Sequence, residues 1–300
     1  MTIRFGVSPI AWINDDMPEL GGETPLETVL ADAQAIGFEG IELGGKFPRE
    51  PRALKALLDR HGLALVGGWY GSNLLERTPD AEIAAMQPHL RLLQAMGTDV
   101  FVIAETSNAI HSDRSTPLSR TPRLDESAWR QFGRRLTEIG DYLANEGMRC
   151  AYHHHLGTVV ERQEDLDRFL AATGPNVGLT VDTGHASLGG IDPIEVIRRH
   201  PARVAHVHCK DIRPEVFGAL ERRDGSFLDG VIDGMFTVPG DGAIDYGDVM
   251  RALAGIGYSG WIIIEAEQDP AVADPRHYGE VGLRTLERMA ERAGLERLAA

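Results

Sequence analysis

AIGFEGIEL, residues 35–43, joins the end of a helical pattern to a short apolar strand through Gly37. The same succession recurs in RHGLALVGG (60–68), AMGTDVFVI (95–103) and GIGYSGWIIIE (255–265). A glycine after the last helical residue is typical of a helix C-terminus, where the chain often turns through a left-handed conformation. Helices that alternate with strands in this way predict a parallel sheet with right-handed connections.

Eight such units follow one another, and they predict an α/β fold, a single-domain (β/α)8 TIM barrel over residues 1–300. The predicted strands are short and mostly apolar throughout, as strands buried on both faces are. They are Ile3–Ser8, Gly40–Leu43, Ala64–Gly68, Val100–Ala104, Arg149–His154, Val177–Val181, Val204–Cys209 and Trp261–Glu265. The predicted helices are Pro25–Ile36, Pro51–His61, Ala81–Met96, Glu126–Glu146, Gln163–Ala172, Pro193–His200, Tyr246–Gly255 and Gly279–Ala293.

Local signals support several of these boundaries. Thr24, Pro25 and Glu27 predict an N-cap, a first-turn proline and a capping-box acid for the first helix. A doubly wound open sheet is the alternative architecture, but strand one runs into SPIAWINDD without the GxGxxG loop that is typical of that fold. The glycines predicted to end helices are Gly37, Gly62, Gly97, Gly147 and Gly257.

The longest irregular stretch in this pattern is residues 211–245, which contain ERRDGSFLDG and PGDGAIDY. A loop of this length in a compact domain is usually functional or mobile. We expect it to form a flap over the barrel mouth, and an insertion without function is the alternative.

Composition excludes several classes of protein. The chain has 30 basic and 45 acidic residues, a net charge of −15, which disfavours nucleic acid as a partner because such affinity comes largely from phosphate neutralisation. No apolar run approaches the roughly 20 residues of a membrane helix. The N-terminus has no pattern of an export signal, so a cytoplasmic location is expected. The two cysteines, Cys150 and Cys209, cannot form a disulfide framework.

Barrel enzymes carry their chemistry at the C-terminal ends of their strands. A single carboxylate at such an end is often a helix cap, whereas repeated His, Asp and Glu at successive strand ends favour a functional site. In strand order these ends hold Trp12, Asn14, Asp15 and Asp16; Glu42; Trp69 and Tyr70; Glu105; His153, His154 and His155; Asp182 and His185; His206, His208 and Lys210; Glu265 and Glu267.

Strand alternation selects among these residues, because side chains two residues apart share a face. His153 and His155 therefore share one face, and His206, His208 and Lys210 share another. Imidazole and carboxylate ligands together suit Mn²⁺, Co²⁺, Zn²⁺ or Fe²⁺. The sequence contains no GxSxG elbow, Walker loop or CxxC pair, so acyl transfer and phosphoryl transfer have little support.

Four segments carry a resemblance to a known family: VDTGH (181–185), HVHCKD (206–211), PGDGAIDY (239–246) and GYSGWIIIEAEQ (257–268). They resemble motifs of the sugar-isomerase and endonuclease-type superfamily of metal-dependent barrels. In that family, strands five to eight each supply one metal ligand.

The resemblance implies Asp182, His208 and Glu265 as metal ligands in this sequence. The family usually has a glutamate on strand five. Here His153 stands at the matching position, with His155 as the other candidate for the fourth ligand.

A narrower resemblance covers nearly the whole chain. GVSPIAWINDDMPELG (6–21), YHHHLGT (152–158) and IIIEAEQDP (262–270) are similar to segments of the inosose dehydratases. This similarity implies removal of water from 2-keto-myo-inositol (scyllo-inosose) to give a trihydroxycyclohexane-1,2-dione in myo-inositol catabolism. It also implies a Mn²⁺ or Co²⁺ requirement and, from resemblance alone, glutathione as a cofactor.

The expected chemistry starts with loss of a proton next to the ketone and ends with expulsion of a β-hydroxyl, which require a base and an acid. Lys210 and His155 are the candidates for proton transfer, and Glu265 is a further candidate for the base. Lys210 as a structural ion-pair partner is the alternative. The residues expected to contact a polyol or keto-cyclitol substrate are Trp12, Asp15, Glu42 and His185.

Three other functions compete with this one. A keto-sugar isomerase or epimerase would use the same metal site and the same enediolate chemistry. A metal-dependent endonuclease would need a basic groove, which the charge disfavours, and a sugar-binding protein would show no turnover. Barrels of this kind often form homo-oligomers, but no stripe of the sequence marks an interface.

Overall fold

The eight predicted strands form one closed parallel barrel in a computed structural model of the protein, which describes residues 2–298. Neighbouring strands are consecutive in the chain, and the first pairs with the eighth, so the sheet closes on itself. The predicted TIM-barrel fold is therefore confirmed, although residues 1, 299 and 300 of the predicted domain lie outside the described part. The strands are β1 (Thr2–Val7), β2 (Gly40–Leu43), β3 (Ala64–Ser72), β4 (Val100–Glu105), β5 (Arg149–His153), β6 (Val177–Asp182), β7 (Val204–Cys209) and β8 (Gly260–Ile264).

Helices connect the strands around the outside of the barrel. The predicted Thr24 N-cap is wrong, because Pro25 occupies the N-cap position of the first helix and offers no side-chain acceptor. Within residues 2–298, no helix is both long and apolar enough to cross a membrane. The connecting helices are Leu26–Ile36, Pro51–Arg60, Pro79–Ala95, Glu126–Asn145, Gln163–Ala172, Thr183–Leu188, Pro193–Arg199, Tyr246–Gly255 and Pro275–Arg292.

The glycines that end the helices set where the strands begin. All five predicted positions adopt positive φ, between 62° and 104°. At Gly37 the backbone N–H donates to the carbonyl oxygens of Ala33 and Gln34, so the helix ends and the chain turns into β2. A side chain at this φ of 104° would crowd its own backbone, which is why glycine is required here.

Small apolar side chains fill the barrel interior at the end away from the mouth. Val100 and Val102 of β4 pack there with Ala151 of β5 and Ala205 of β7, all buried. Because side chains alternate along a strand, the residues between them point outward into the larger core beneath the helices. A layer of apolar side chains therefore lies beneath the polar groups of the barrel mouth, and Val102 of this layer lines the cavity.

Residues 211–245, predicted as an irregular flap, form an ordered insertion. It contains helices Pro214–Arg222 and Phe227–Asp233. Residues Asp211–Ile212 pair antiparallel with Phe236–Thr237. The prediction of irregular structure is wrong because these elements are too short to show a clear apolar period in the sequence.

The insertion packs against the side of the barrel mouth. Phe227 stacks on the His185 ring at a centroid distance of 5.8 Å, and Phe236 meets the same ring edge-on at 5.0 Å. Both phenylalanines are buried. The insertion therefore supplies a fixed apolar wall behind the histidines of the mouth.

We predict that Gly133→Ala destabilises the barrel even though alanine favours helices. A Cβ at Gly133 would lie 2.5 Å from both the Cβ and the carbonyl oxygen of Ala172. Forcing two helices apart in this way costs about 1–3 kcal/mol of unfolding free energy. Urea denaturation measures this change. Gly255→Ala is the matched control, because a Cβ there meets nothing within 4 Å, and an equal loss in both variants would contradict the packing argument.

Candidate active site and metal centre

An open cavity lies at the C-terminal ends of the barrel strands. Trp69 of β3 lines it and is 40% exposed, so it offers an aromatic face to whatever enters. The rest of the wall is rich in ionisable groups, as the sequence predicts. These are Asp15, Asp16, Glu42, His111, His153, His155, His208, Glu265 and Glu267.

Four of the predicted ligands bring their donor atoms to one point beside this cavity. They come from the ends of β5 to β8 and are His153, Asp182, His208 and Glu265, with all donor atoms within 4.8 Å of one another. The Nδ1 atom of His208 lies 3.2 Å from Nε2 of His153 and 3.0 Å from Oε2 of Glu265. Donors that bind one ion at about 2.0–2.2 Å stand roughly 3 Å or slightly more apart. The spacing therefore fits a single cation.

Asp182 divides its two carboxylate oxygens between a helix and this cluster. Oδ1 accepts hydrogen bonds from the backbone N–H groups of Gly184 and His185, both at 2.8 Å, and so caps the helix Thr183–Leu188. Oδ2 is buried 3.6 Å from Nε2 of His153 and has no hydrogen-bond donor among residues 2–298. A buried carboxylate oxygen without a partner is costly, and a bound cation would satisfy it. The residues thus fit a metal ion.

Glu42 orients one of these ligands from the other side. Its Oε1 accepts hydrogen bonds from Nε2 of His206 at 3.1 Å and from Nε2 of His208 at 3.0 Å. The second bond keeps the His208 proton on Nε2 and turns the Nδ1 lone pair towards the cluster. Burial opposes ionisation of Glu42, but His208 and His206 together lower its pKa to about 2. Glu42 lines the cavity as a predicted substrate contact would, and it also fixes the tautomer of His208.

The cluster as a whole favours positive charge. Burial alone would lower the pKa of His208, but Glu42 and Glu265 raise it well above its usual value. The pKa of His153 is also raised, because Asp182 and Glu265 outweigh the effect of burial. Carboxylates that stabilise protons on these rings would stabilise a divalent cation bound to the neutral rings in the same way.

Lys210 is a buried cation between two carboxylates and a histidine. Its Nζ lies 2.7 Å from Oε1 of Glu267 and 3.1 Å from Oε2 of Glu265. The Nε2 atom of His185 is 2.9 Å away. Burial would lower the pKa of Lys210, but Glu265 and Glu267 raise it above its usual value. The same ammonium holds the pKa of Glu267 well below its usual range in spite of burial, so both groups stay charged.

His155, a predicted proton-transfer residue, lines the cavity with a defined tautomer. Its Nδ1 lies 2.7 Å from the carbonyl oxygen of Leu156, which only accepts, so Nδ1 carries the proton. Nε2 then has a free lone pair, 3.9 Å from Oε1 of Glu267. The ring also contacts the His185 ring at a centroid distance of 3.7 Å, with an angle of 35° between the two planes. His155 therefore presents a basic nitrogen in a fixed orientation.

Of the other predicted substrate contacts, one lines the cavity and two are buried away from it. Asp15 lines the cavity as expected. Trp12 is buried in the core instead and donates its Nε1–H to Asp32 at 3.0 Å, so Trp69 supplies the aromatic wall. His185 is fully buried, and its closest polar contact is a neighbouring ammonium.

Among the ionisable residues of the cavity, His111 is absent from the strand ends that the sequence marks, whereas Asp16 and Glu267 stand at those ends without an assigned role. Glu267 has a clear signal, because it stands two residues after Glu265 on the same face of the chain. Asp16 adjoins Asp15 in the NDD run. His111 belongs to the loop after β4, where no local pattern marks it.

Known proteins resemble the chain over nearly its whole length. The model of the xylose isomerase-like TIM barrel family matches residues 30–289. Rhizopine catabolism protein MocC of Rhizobium meliloti is 47% identical over 294 residues, 98% of this chain and 90% of that protein. An inosose dehydratase of Geobacillus thermodenitrificans is 40% identical over 295 residues, 98% of each chain. The structure of a xylose isomerase domain protein from Alicyclobacillus acidocaldarius matches with a TM-score of 0.68 and 21% identity, covering 98% of this chain and 100% of that one.

The chain therefore belongs to the xylose isomerase-like TIM barrel family. Within the family, inosose dehydratases at 37% to 40% identity over at least 93% of the chain make it an enzyme of the dehydratase type, a lyase. The predicted fold family and enzyme class are thus confirmed. The assignments of individual ligands and catalytic groups stay predictions, and the distances above are their support.

We predict that Glu42→Gln weakens metal binding by about 10- to 100-fold. The neutral amide is a weaker acceptor than the carboxylate, so it holds the His208 proton on Nε2 less firmly. Isothermal titration of the metal-free protein with Mn²⁺ or Co²⁺ measures the change. Glu76→Gln, at an exposed loop position, is the control that removes the same charge elsewhere. Equal affinity in Glu42→Gln and the control would show that His208 is oriented without Glu42.

We predict that Lys210→Met destabilises the protein by about 3–5 kcal/mol, since it leaves Glu267 buried without its counter-charge. Adding Glu267→Gln removes that stranded charge, so the double variant should recover part of the loss. Urea denaturation of both single variants and the double variant gives the coupling, expected at about 0.5–3 kcal/mol. Strictly additive losses would mean that the ammonium and Glu267 are not coupled.

Proposed function

We propose that this enzyme removes water from an inosose, 2-keto-myo-inositol, to give a trihydroxycyclohexane-1,2-dione, as a step of myo-inositol catabolism. The observation that carries the proposal is 40% identity to an inosose dehydratase over 98% of both chains. A relative from rhizopine catabolism, 47% identical, supports a catabolic role for small molecules. A cytoplasmic location belongs to the same proposal.

The cavity suits a neutral cyclitol. A cyclitol ring has hydroxyl groups around its edge and C–H groups on its faces, so it needs polar partners beside an apolar wall. Asp15 and Glu42 provide acceptors for hydroxyl groups, and Trp69 provides a flat face for the ring. Since the chain carries a net charge of −15, a neutral substrate is favoured over a polyanion.

We assign Mn²⁺ or Co²⁺ to the cluster of His153, Asp182, His208 and Glu265. Two imidazoles and two carboxylates are ligands that these ions accept, and the unpartnered oxygen of Asp182 supports a cation there. Such an ion, when bound, supplies Lewis-acid stabilisation of negative charge on an oxygen next to the reacting carbon. Glutathione stays an expectation from resemblance alone.

His155 is the base in this proposal. Its Nδ1–H is held by the carbonyl oxygen of Leu156, which leaves Nε2 free to take the proton from the carbon next to the ketone. The resulting imidazolium would face the carboxylate of Glu267, 3.9 Å away, which stabilises it. Glu265, the other candidate for the base, is already engaged by His208 at 3.0 Å, which favours its role as a ligand.

Lys210 acts through its neighbours in this proposal. A buried ammonium with a raised pKa does not release its proton near neutral pH, so Lys210 is unsuited to be a base. Its contacts with Glu265 and Glu267 instead hold both carboxylates in place. Lys210 is thus a positioning residue for one ligand and for the partner of His155.

We predict that the metal-loaded protein converts 2-keto-myo-inositol to the dione and that a chelator abolishes this activity. Ultraviolet absorbance of the dione follows the reaction, and Mn²⁺ or Co²⁺ should restore it after the chelator is removed. His155→Ala should lower kcat by about 10²–10⁴-fold with metal content unchanged. Full activity of the metal-free protein would overturn the proposed role of the metal.

The product distinguishes this function from its nearest rival. A keto-sugar isomerase or epimerase would rearrange a keto sugar without loss of water, and no dione absorbance would appear. A panel of inososes and keto sugars, analysed by mass for the loss of 18 Da that water removal requires, separates the two activities. Binding without turnover on the whole panel would instead indicate a sugar-binding protein.

A further inference from the structure

Asp16 is held in the cavity wall by the loop that follows β1. The buried side chain of Asn14 accepts hydrogen bonds from the backbone N–H groups of Asp16 and Met17, both at 2.9 Å. This turn fixes the backbone of Asp16 and leaves its carboxyl group free to face the cavity. Its Oδ1 lies 3.9 Å from Nε2 of His111.

The groups around Asp16 favour its neutral form. Burial and then Glu267 raise the pKa of Asp16 to about 6, although His155 opposes them. By contrast, the pKa values of Glu42 and Glu267 are lowered. Asp16 therefore holds a proton much closer to neutral pH than these other two carboxyls of the cavity. The charged or titratable groups that face it are Asp15 on its own loop, His111 after β4, His155 after β5, Lys210 after β7 and Glu267 after β8.

His111 adjoins both Asp16 and the proposed base. Its ring centroid is 5.0 Å from that of His155. Burial and then His155 lower the pKa of His111 to about 3, so the ring is neutral. Its buried Nδ1 has no hydrogen-bond partner among residues 2–298. A base and an acid that act on neighbouring carbons of one small ring have to lie close together. Asp16 and His155 are close enough to share His111 as a neighbour.

We propose that Asp16 is the general acid that protonates the departing β-hydroxyl group. The inference rests on the proposed dehydratase function. It assigns a catalytic role to a residue of the loop after β1.

The proposed reaction starts at the carbon next to the ketone. Nε2 of His155 takes the proton from the carbon next to the ketone, and the C–H electron pair forms an enolate. The enolate re-forms the carbonyl and a double bond to the β-carbon, whose C–O bond breaks. The leaving oxygen keeps that electron pair, takes the proton of the Asp16 carboxyl and departs as water. The remaining enol relaxes to the dione. His155 then releases one proton to solvent and Asp16 takes one up, so the enzyme returns to its starting state.

Asp16→Asn tests this role, because the amide keeps the size of the side chain but cannot donate an acidic proton. Glu19→Gln, an exposed position in the same loop, is the matched control. In deuterium oxide we expect Asp16→Asn to exchange the α-hydrogen of the inosose, followed by NMR, at a rate within about threefold of wild type. Dione formation should fall by about 10²–10⁴-fold. Metal content should stay at the wild-type level, and Asp16→Glu should restore part of the rate.

The pH profile gives a second readout. The carboxyl must be protonated to act, so kcat of the wild type should fall as the pH rises through about 6. Asp16→Asn should lack this alkaline limb, and Asp16→Glu should retain it with a changed midpoint.

Two results would overturn the inference: a wild-type rate in Asp16→Asn, or loss of both hydrogen exchange and dione formation with normal metal content. The second would make Asp16 a substrate-binding group or part of the base. If Asp16→Asn does not fold, the pH profiles of the wild type and of Asp16→Glu test the proposal instead. Absence of a fall in kcat at alkaline pH in both proteins would contradict the role of Asp16 as the general acid. Failure of the proposed function is a separate outcome, in which the wild type itself forms no dione from any inosose.

Discussion

The parallel register of the last four barrel strands is the constraint from which the site follows. Asp182 at the end of β6 pairs with His208 of β7. His208 in turn pairs with Ile263 of β8, two residues before Glu265. Because the side-chain period of a strand is two, a slip of one residue would turn these donors to the opposite face. The short distances among the donors are thus a consequence of backbone pairing.

The same register concentrates negative charge in a buried place, and this charge needs compensation. Glu265 is shared between two partners, since its Oε2 lies 3.0 Å from Nδ1 of His208 and 3.1 Å from Nζ of Lys210. Lys210 compensates the charge of these carboxylates permanently, whereas a metal ion can dissociate into solvent. Buried carboxylates persist only with such partners, so we expect Lys210 to stabilise Glu265 and Glu267 whether or not a metal ion is bound.

Local patterns were sufficient to predict the barrel, because strand periodicity and helix-ending glycines depend on neighbouring residues only. The choice of His153, Asp182, His208 and Glu265 as metal ligands came from the resemblance to a known family and stays a prediction. Asp182 and Glu265 follow apolar strands directly, so their position at the mouth could be deduced. The choice between Trp12 and Trp69 as the aromatic wall could not, because it depends on the path of a loop and on the bond from Trp12 to Asp32. His111 arrives at the cavity through a long loop, and its place is set by tertiary packing alone.

The insertion of residues 211–245 is joined to the barrel in an unusual way. Asp211, one residue after Lys210, accepts backbone hydrogen bonds at 2.8–3.2 Å from both ends of the insertion. One carboxylate therefore ties both ends of the segment to the end of β7. The segment also reaches the proton-transfer groups, because the Phe236 ring lies 4.7 Å from Nζ of Lys210 and the Phe227 ring lies 5.0 Å from that of His155. A change in this insertion would therefore alter the surroundings of the lysine and the base together, while strand pairing keeps the metal ligands in register. The donors to Asp211 are the N–H groups of Ile212, Gly240, Gly242 and Ile244.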